Sequence, residues 1–149
     1  MTRTRTRTIG HALGAAALAL SSAVLVATPS QASDGTVSAT SPDGRAYGSA
    51  HLDFVSRTRV NITSLYVNDR CPGDGVAATI NLYVGRGGTI QDMIWIKVGE
   101  RVDHGGCESA PVNTSTYYKS AYEDVDAFAI RVCGSGGCSP YDWRMNQHA

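Results

Sequence analysis

Apolar residues in this chain recur at every second position over several short stretches, and this spacing limits the folds open to it. Successive side chains of a strand point to opposite faces, so the alternation is typical of half-buried β-strands. The clearest alternating sets are Ala46, Gly48, Ala50, Leu52 and Phe54; Val76, Ala78, Ile80, Leu82 and Val84; and Phe128, Ile130 and Val132. No sustained helical stripe occurs beyond the N-terminal region. The sequence therefore predicts an all-β fold, a small antiparallel β-sandwich.

One predicted strand changes phase along its length. Val60 and Ile62 share one face, whereas Leu65 and Val67 continue the strand in the opposite phase. An extra residue in one strand of an antiparallel pair produces such a change. We therefore expect a β-bulge near residues 63–64.

A further alternating stretch follows the glycine-rich turn at residues 85–88. Ile94, Ile96 and Val98 are expected to face inward, with Trp95 and Lys97 on the other side. The tyrosine-rich segment 115–122 is ambiguous, because it suits either an edge strand or an irregular aromatic cover.

The N-terminus has the parts of an export signal. It begins with Arg3, Arg5 and Arg7, continues with the apolar run 9–27 and ends in the small-x-small sequence Ser30-Gln31-Ala32. Cleavage after Ala32 predicts a secreted, extracellular product. No later apolar run reaches the about 20 residues that span a bilayer, so we expect no membrane insertion. The expected domains are a signal peptide at 1–32, a flexible N-terminal arm at 33–45 and a β-sandwich domain at 46–149.

The charge balance disfavours two classes of partner. Removal of the signal leaves ten of the thirteen basic residues against thirteen acidic ones, a net charge of about −3. Nucleic acids and anionic membranes both favour clustered Lys and Arg, and the basic cluster of this chain lies in the signal. We therefore expect neither as a partner.

Four cysteines, all beyond the signal, indicate two disulfides in an oxidising compartment. Three pairings are possible. We favour Cys133 with Cys138, because the glycine-rich residues 134–137 can turn tightly between them, and Cys71 with Cys107. The spacing does not fit a zinc site, and we expect no metal or cofactor.

Catalytic motifs are missing from the sequence. The serine-hydrolase motif G-x-S-x-G does not occur, and His51, His104 and His148 have no identifiable catalytic partners. A carboxylate pair from the acidic segment 123–126 is more simply a solvated loop than a glycosidase site. We expect a protein that is not an enzyme.

Two features suggest binding instead. The segment 33–45 is small, polar and rich in turn formers, and such an extended arm can enter a groove of a partner. The arm residues predicted to bind a partner are Asp34, Val37, Pro42, Asp43 and Arg45. Tyr83 and Trp95 lie opposite the aliphatic face of their strands and are predicted to form an outer binding patch.

The chain also resembles a known group of proteins. The resemblance is carried by Gly44-Arg45-Ala46-Tyr47-Gly48, by Asn68-Asp69 with Asp74-Gly75, and by Ile130-Arg131-Val132-Cys133 before a final cysteine. These motifs are similar to those of small exported actinobacterial β-sandwich proteins, and more narrowly to the adaptor subunits of umbrella toxin particles. The resemblance implies a bridge in an antibacterial toxin complex. Its arm would enter the trypsin-like domain of a lectin subunit, and its sandwich would attach to a large repeat-containing toxin polypeptide.

The predicted function is thus a secreted, non-enzymatic protein-binding adaptor. One alternative is an inhibitor of trypsin-like proteases that presents Arg45, although the nearest cysteine that could brace it is Cys71. The other alternative is a carbohydrate-binding module that depends on Trp95 or Trp143.

Overall fold

A computed structural model of the chain describes residues 34–70, 75–105 and 110–149, which form two antiparallel β-sheets facing each other across one core. The strands are β1 (Gly35–Thr40), β2 (Ala46–Ser56), β3 (Arg59–Asp69), β4 (Ala78–Arg86), β5 (Ile94–Asp103), β6 (Val112–Lys119), β7 (Ala127–Gly134), β8 (Gly137–Cys138) and β9 (Asp142–Met145). The first sheet has the order β1-β2-β3-β6. The second has the order β5-β4-β7, and both β8 and β9 pair with β7. The predicted all-β, antiparallel fold is confirmed.

The core lies between the two sheets where the alternation placed it. The predicted inward residues of β2 and β7 are all buried, and so are those of β4 from Ala78 onward. Val76 is an exception, because it precedes β4 and is 45% exposed. Period-two spacing therefore identifies the core face wherever a strand is covered by the opposite sheet.

The predicted bulge in β3 is confirmed. The pairing of β3 with β6 shifts register between Ile62 and Leu65, and both of these residues are buried. Ser64 adopts a positive φ of 51°, a conformation that non-glycine residues rarely take outside turns and bulges. The bulge keeps both halves of β3 facing the core.

Strand β5 departs from the prediction. Ile94 and Ile96, which were expected to face inward to the core, are 67% and 43% exposed. They do lie on the inner side of the strand, since they pair with Arg86 and Val84 of β4. However, β5 is at the end of its sheet, and its inner side is left uncovered at these two residues. Val98 does pack against the core.

The ambiguous segment 115–122 is partly a strand. Residues up to Lys119 belong to β6, the end strand of the first sheet. Tyr118 packs against the core with its ring centroid 6.4 Å from that of Phe128, whereas Tyr117 points outward and Tyr122 lies beyond the strand. The segment is thus an edge strand followed by a turn.

The prediction of a flexible arm at 33–45 is wrong for residues 35–40, which form β1. This strand pairs along β2 from Gly35 opposite Leu52 to Thr40 opposite Tyr47. Val37 is fully buried in the core. The segment reads as polar because an edge strand with one covered face needs few apolar residues, and backbone hydrogen bonds to β2 do not depend on side chains.

The disulfide between Cys133 and Cys138 is confirmed and closes the β7–β8 hairpin. Gly137 has a φ of 99°, which the glycine-rich turn permits. Cys71 and Cys107 lie outside the described residues, and so does the predicted signal peptide at 1–32. In the part of the chain that the structure describes, there is no helix long and apolar enough to cross a membrane.

Candidate functional site

The turn between β1 and β2 contains three of the predicted partner-binding residues, Pro42, Asp43 and Arg45. It is a tight turn in which the backbone N–H of Gly44 donates to the carbonyl of Ser41 at 2.9 Å. Gly44 has a φ of 75°, a conformation that favours glycine. The turn is therefore a built element of the sheet.

Asp43 joins this turn to the disulfide-closed hairpin. Its Oδ1 accepts hydrogen bonds from the Ser41 hydroxyl at 2.5 Å and the Arg45 backbone N–H at 3.1 Å. Its Oδ2 accepts from the Ser135 hydroxyl at 2.8 Å and the Gly136 backbone N–H at 2.7 Å. These bonds, that of Ser41 above all, hold the pKa of Asp43 far below its ordinary value. The carboxylate is thus engaged within the molecule.

The other predicted arm residues are also part of the fold. The Asp34 carboxylate accepts a hydrogen bond from the backbone N–H of Phe54 at 2.7 Å, and Val37 is in the core. Arg45 is half-buried, and its Nη1 lies 3.4 Å from the Ser135 hydroxyl. Presentation of these residues as a free arm would require β1 to leave its sheet.

The structure brings the predicted aromatic pair together on the outer face of the second sheet. Tyr141 lies between Tyr83 and Trp95, at ring-centroid distances of 5.0 Å and 5.1 Å. The β4 residue opposite Trp95 is Gly85. A Cβ added to Gly85 would come within 2.9 Å of the Trp95 indole and 2.2 Å of the Met93 sulfur. The glycine therefore allows the ring to pack close to the sheet.

This aromatic cluster of Tyr83, Trp95 and Tyr141 is largely self-contained. The Trp95 and Tyr141 rings are within 17° of parallel, so each covers a face of the other. The Arg131 guanidinium lies 5.0 Å from the centroid of the Tyr141 ring, and all three rings are half-buried. A sugar stacks on a free face of an aromatic ring, and this arrangement leaves less ring face free for a sugar.

A different surface is open on the side of the sandwich where β5 and β6 lie. Between these strands there is a cleft of about 160 Å³. Its lining residues are Ile62, Leu82, Val98, Gly99, Arg101, Thr116, Tyr117 and Tyr118. The buried residues Ile62 and Leu82 form an apolar floor. We call this feature the edge cleft.

The edge cleft continues into an unpaired strand edge. Strand β5 pairs with β4 on one side, and no strand among the described residues pairs with its other side. The exposed Ile94 and Ile96 lie on the same inner side as Gly99 and Arg101. This is because β5 has one extra residue, Val98, at the register shift opposite Leu82 and Tyr83, so that odd-numbered residues face inward after it. Backbone hydrogen-bonding groups and apolar side chains are therefore offered together.

Charged groups flank this edge. The Lys97 ammonium lies 2.5 Å from Glu100 Oε2, and this hydrogen bond together with the positive charge lowers the pKa of Glu100. The Arg101 Nη1 donates a hydrogen bond to the backbone carbonyl of Glu100 at 2.7 Å. Within the described ranges, Arg101 forms no ion pair. The rim of the edge cleft thus carries the positive charge of Arg101.

Sequence reasoning missed this site because it assigned Ile94 and Ile96 to the core. The signal that could have indicated it is Gly99, since a glycine inside a strand often marks a bulge or a close approach. Across residues 34–70, 75–105 and 110–149, no group of three or more His, Cys, Asp or Glu side chains could hold a metal ion. The chain has no significant match among protein-family models, curated proteins or solved structures.

Proposed function

We propose that this chain is a secreted, non-enzymatic protein-binding module that captures an extended segment of a partner along the free edge of β5. The observation that carries the proposal is the exposure of Ile94 and Ile96 on an unpaired edge strand beside an apolar cleft. The export signal predicted at residues 1–32 supports secretion.

Physical reasoning favours a partner at this edge. Proteins usually blunt a long edge strand with charges, because its unpaired N–H and C=O groups can pair with another chain. Strand β5 has ten residues, and its charged residues Lys97, Glu100, Arg101 and Asp103 lie from its middle onward. The three residues nearest the β4–β5 turn are uncharged and include the exposed Ile94 and Ile96. Strand addition satisfies the backbone groups and covers the apolar side chains at the same time.

The contacts of residues 34–45 and of the aromatic cluster give less support to the adaptor-arm, protease-inhibitor and carbohydrate-binding roles. Insertion of residues 33–45 into a trypsin-like cleft, as an adaptor arm or as an inhibitor, would require Val37 to leave the core and Asp43 to break four hydrogen bonds. A lectin subunit and a large toxin polypeptide, the partners implied by the resemblance, remain candidates for the protein that binds β5. Carbohydrate binding through Trp95 is disfavoured by the stacking of its ring on Tyr141.

The proposal is tested by capture from native culture medium. The wild-type protein, the double variant Ile94→Lys with Ile96→Lys, and Val55→Lys are each immobilised, and bound proteins are identified by mass spectrometry. Val55 is a matched control, because it is a β-branched residue that is 48% exposed on β2, away from the edge. Both variants replace exposed side chains, so their thermal unfolding should stay close to that of the wild type.

We expect the wild type and Val55→Lys to retain the same protein and the double variant to lose it, because two lysines at the edge must be desolvated by an added strand. Equal retention by all three proteins would place the contact elsewhere and refute the proposal. Hydrolysis of a substrate by the purified chain would contradict its non-enzymatic part.

A further inference from the structure

We infer that the edge cleft selects its partner by two side chains: an aliphatic residue placed opposite Gly99 and a carboxylate placed opposite Arg101. This inference rests on the proposed function of the β5 edge. It names the chemistry of the partner, which is an extended segment that alternates apolar residues with at least one acidic residue.

The register of β4 shows which side chains of an added strand would face inward. Residues directly opposite one another in an antiparallel pair point to the same face. On β4, the residues opposite Arg101, Gly99, Ile96 and Ile94 are Ile80, Leu82, Val84 and Arg86, at every second position. An antiparallel strand on the free edge with the same register therefore presents every second residue to the same four positions.

Gly99 leaves room for one of those residues. A Cβ built on Gly99 would lie 3.5 Å from the Leu82 Cδ1, which is an ordinary van der Waals contact, and its φ is not positive. Neither crowding nor backbone conformation therefore demands a glycine here. Its effect is to leave the space above Leu82 unfilled, so that a neighbouring aliphatic side chain can enter the edge cleft and bury apolar surface.

Arg101 supplies the second preference. Among the described residues, neither acidic residue of β5 forms an ion pair with it: Glu100 pairs with Lys97, and the buried Asp103 accepts hydrogen bonds from the backbone N–H groups of Asp69 and Gly105. A second copy of β5 would bring these same engaged carboxylates. The charge therefore favours a different protein that contributes its own Asp or Glu.

The test uses a blocked nine-residue peptide, acetyl-Thr-Asp-Thr-Leu-Thr-Val-Thr-Val-Thr-amide, and the same peptide with Lys in place of Asp. Binding is followed by NMR titration of the wild type, Gly99→Val, Arg101→Glu and Gly88→Val. Gly99→Val fills the edge cleft from within the chain. Gly88→Val is the matched control, since a Cβ there meets nothing within 4 Å and its φ is not positive.

We expect the Asp peptide to bind the wild type and Gly88→Val and to shift the β5 amide signals, with the Lys peptide weaker by at least about tenfold. Arg101→Glu should reverse the preference between the two peptides. Gly99→Val should lose both peptides without a fall in melting temperature, because added apolar contact and reduced chain entropy both favour its fold.

Three results of the peptide titration would overturn the inference. They are no binding of the Asp peptide to the wild type, equal binding of the two peptides, and unchanged binding to Gly99→Val. A wild-type dimer in sedimentation that dissociates in Gly99→Val would identify a second copy as the occupant instead. If the captured partner is lost from the double-lysine variant but kept by Arg101→Glu and Gly99→Val, the proposed function stands and only this inference fails.

Discussion

Replacement of Val37 by Ala tests whether β1 belongs to the folded domain. Val37 is the fully buried side chain of a strand that otherwise carries polar or small residues. It sits opposite Ala50 of β2 and belongs to the core cluster between the sheets. If residues 33–45 were a free arm, the substitution would have no effect on stability.

The expected loss follows from burial. Val37→Ala removes two methyl groups, each worth about 0.8 kcal/mol when fully buried. The cavity left behind adds about 1 kcal/mol, because a close-packed core relaxes only in part. We therefore expect the free energy of unfolding to fall by about 2.5 kcal/mol.

The assay is urea unfolding of the oxidised protein with fluorescence detection. With a slope of about 2 kcal/mol per molar urea, the midpoint should fall by about 1 M at unchanged slope. Val55→Ala is the control, because the same chemical change at an exposed position should alter stability by less than about 0.5 kcal/mol. A loss in Val37→Ala no larger than in the control would refute the packing of β1 in the core.

Two further predictions concern buried and bridging polar groups. Asp43→Asn should destabilise the protein at neutral pH and make its stability depend less on pH in the acid range. The pKa of Asp43 in the folded state lies below the ordinary 3.8. The stability that its carboxylate contributes is therefore present above pH 3.8 and is lost as the pH falls further. Urea unfolding between pH 2 and 7 measures this, and parallel pH curves for variant and wild type would contradict it. Asn146→Ala should cost about 2 to 4 kcal/mol in the same assay, because it leaves the carbonyls of Ser56 and Val125 without their donor. A cost below about 0.5 kcal/mol would mean that water replaces the amide.

Local periodicity was enough to identify most of the strands and the core. Leu52, Ile80 and Ile130 are buried as the alternation predicts, and the phase change around residues 63–64 is the bulge of β3. These features follow from the sequence because side chains of a strand alternate by geometry, whatever lies beside the strand. The Cys133–Cys138 disulfide was also predictable, since the glycine-rich turn brings its ends together.

The errors occurred where burial depends on strand order. Ile94 and Ile96 have the pattern of inward residues, yet they are exposed because β5 ends its sheet. Residues 35–40 read as a polar arm, yet they pair with β2 and bury Val37. In both cases the deciding fact is which segment lies opposite, and that segment is distant in sequence.

The sequence by itself thus determined the fold class, the main core faces and one disulfide, because these depend on alternation and on short-range turn chemistry. The tertiary structure decided that β1 is part of the domain, that Asp43 joins two turns, and that β5 and β6 leave the edge cleft open. The physical reason is that a local pattern shows which side of a strand is apolar, whereas only the packing of distant strands decides whether that side is covered.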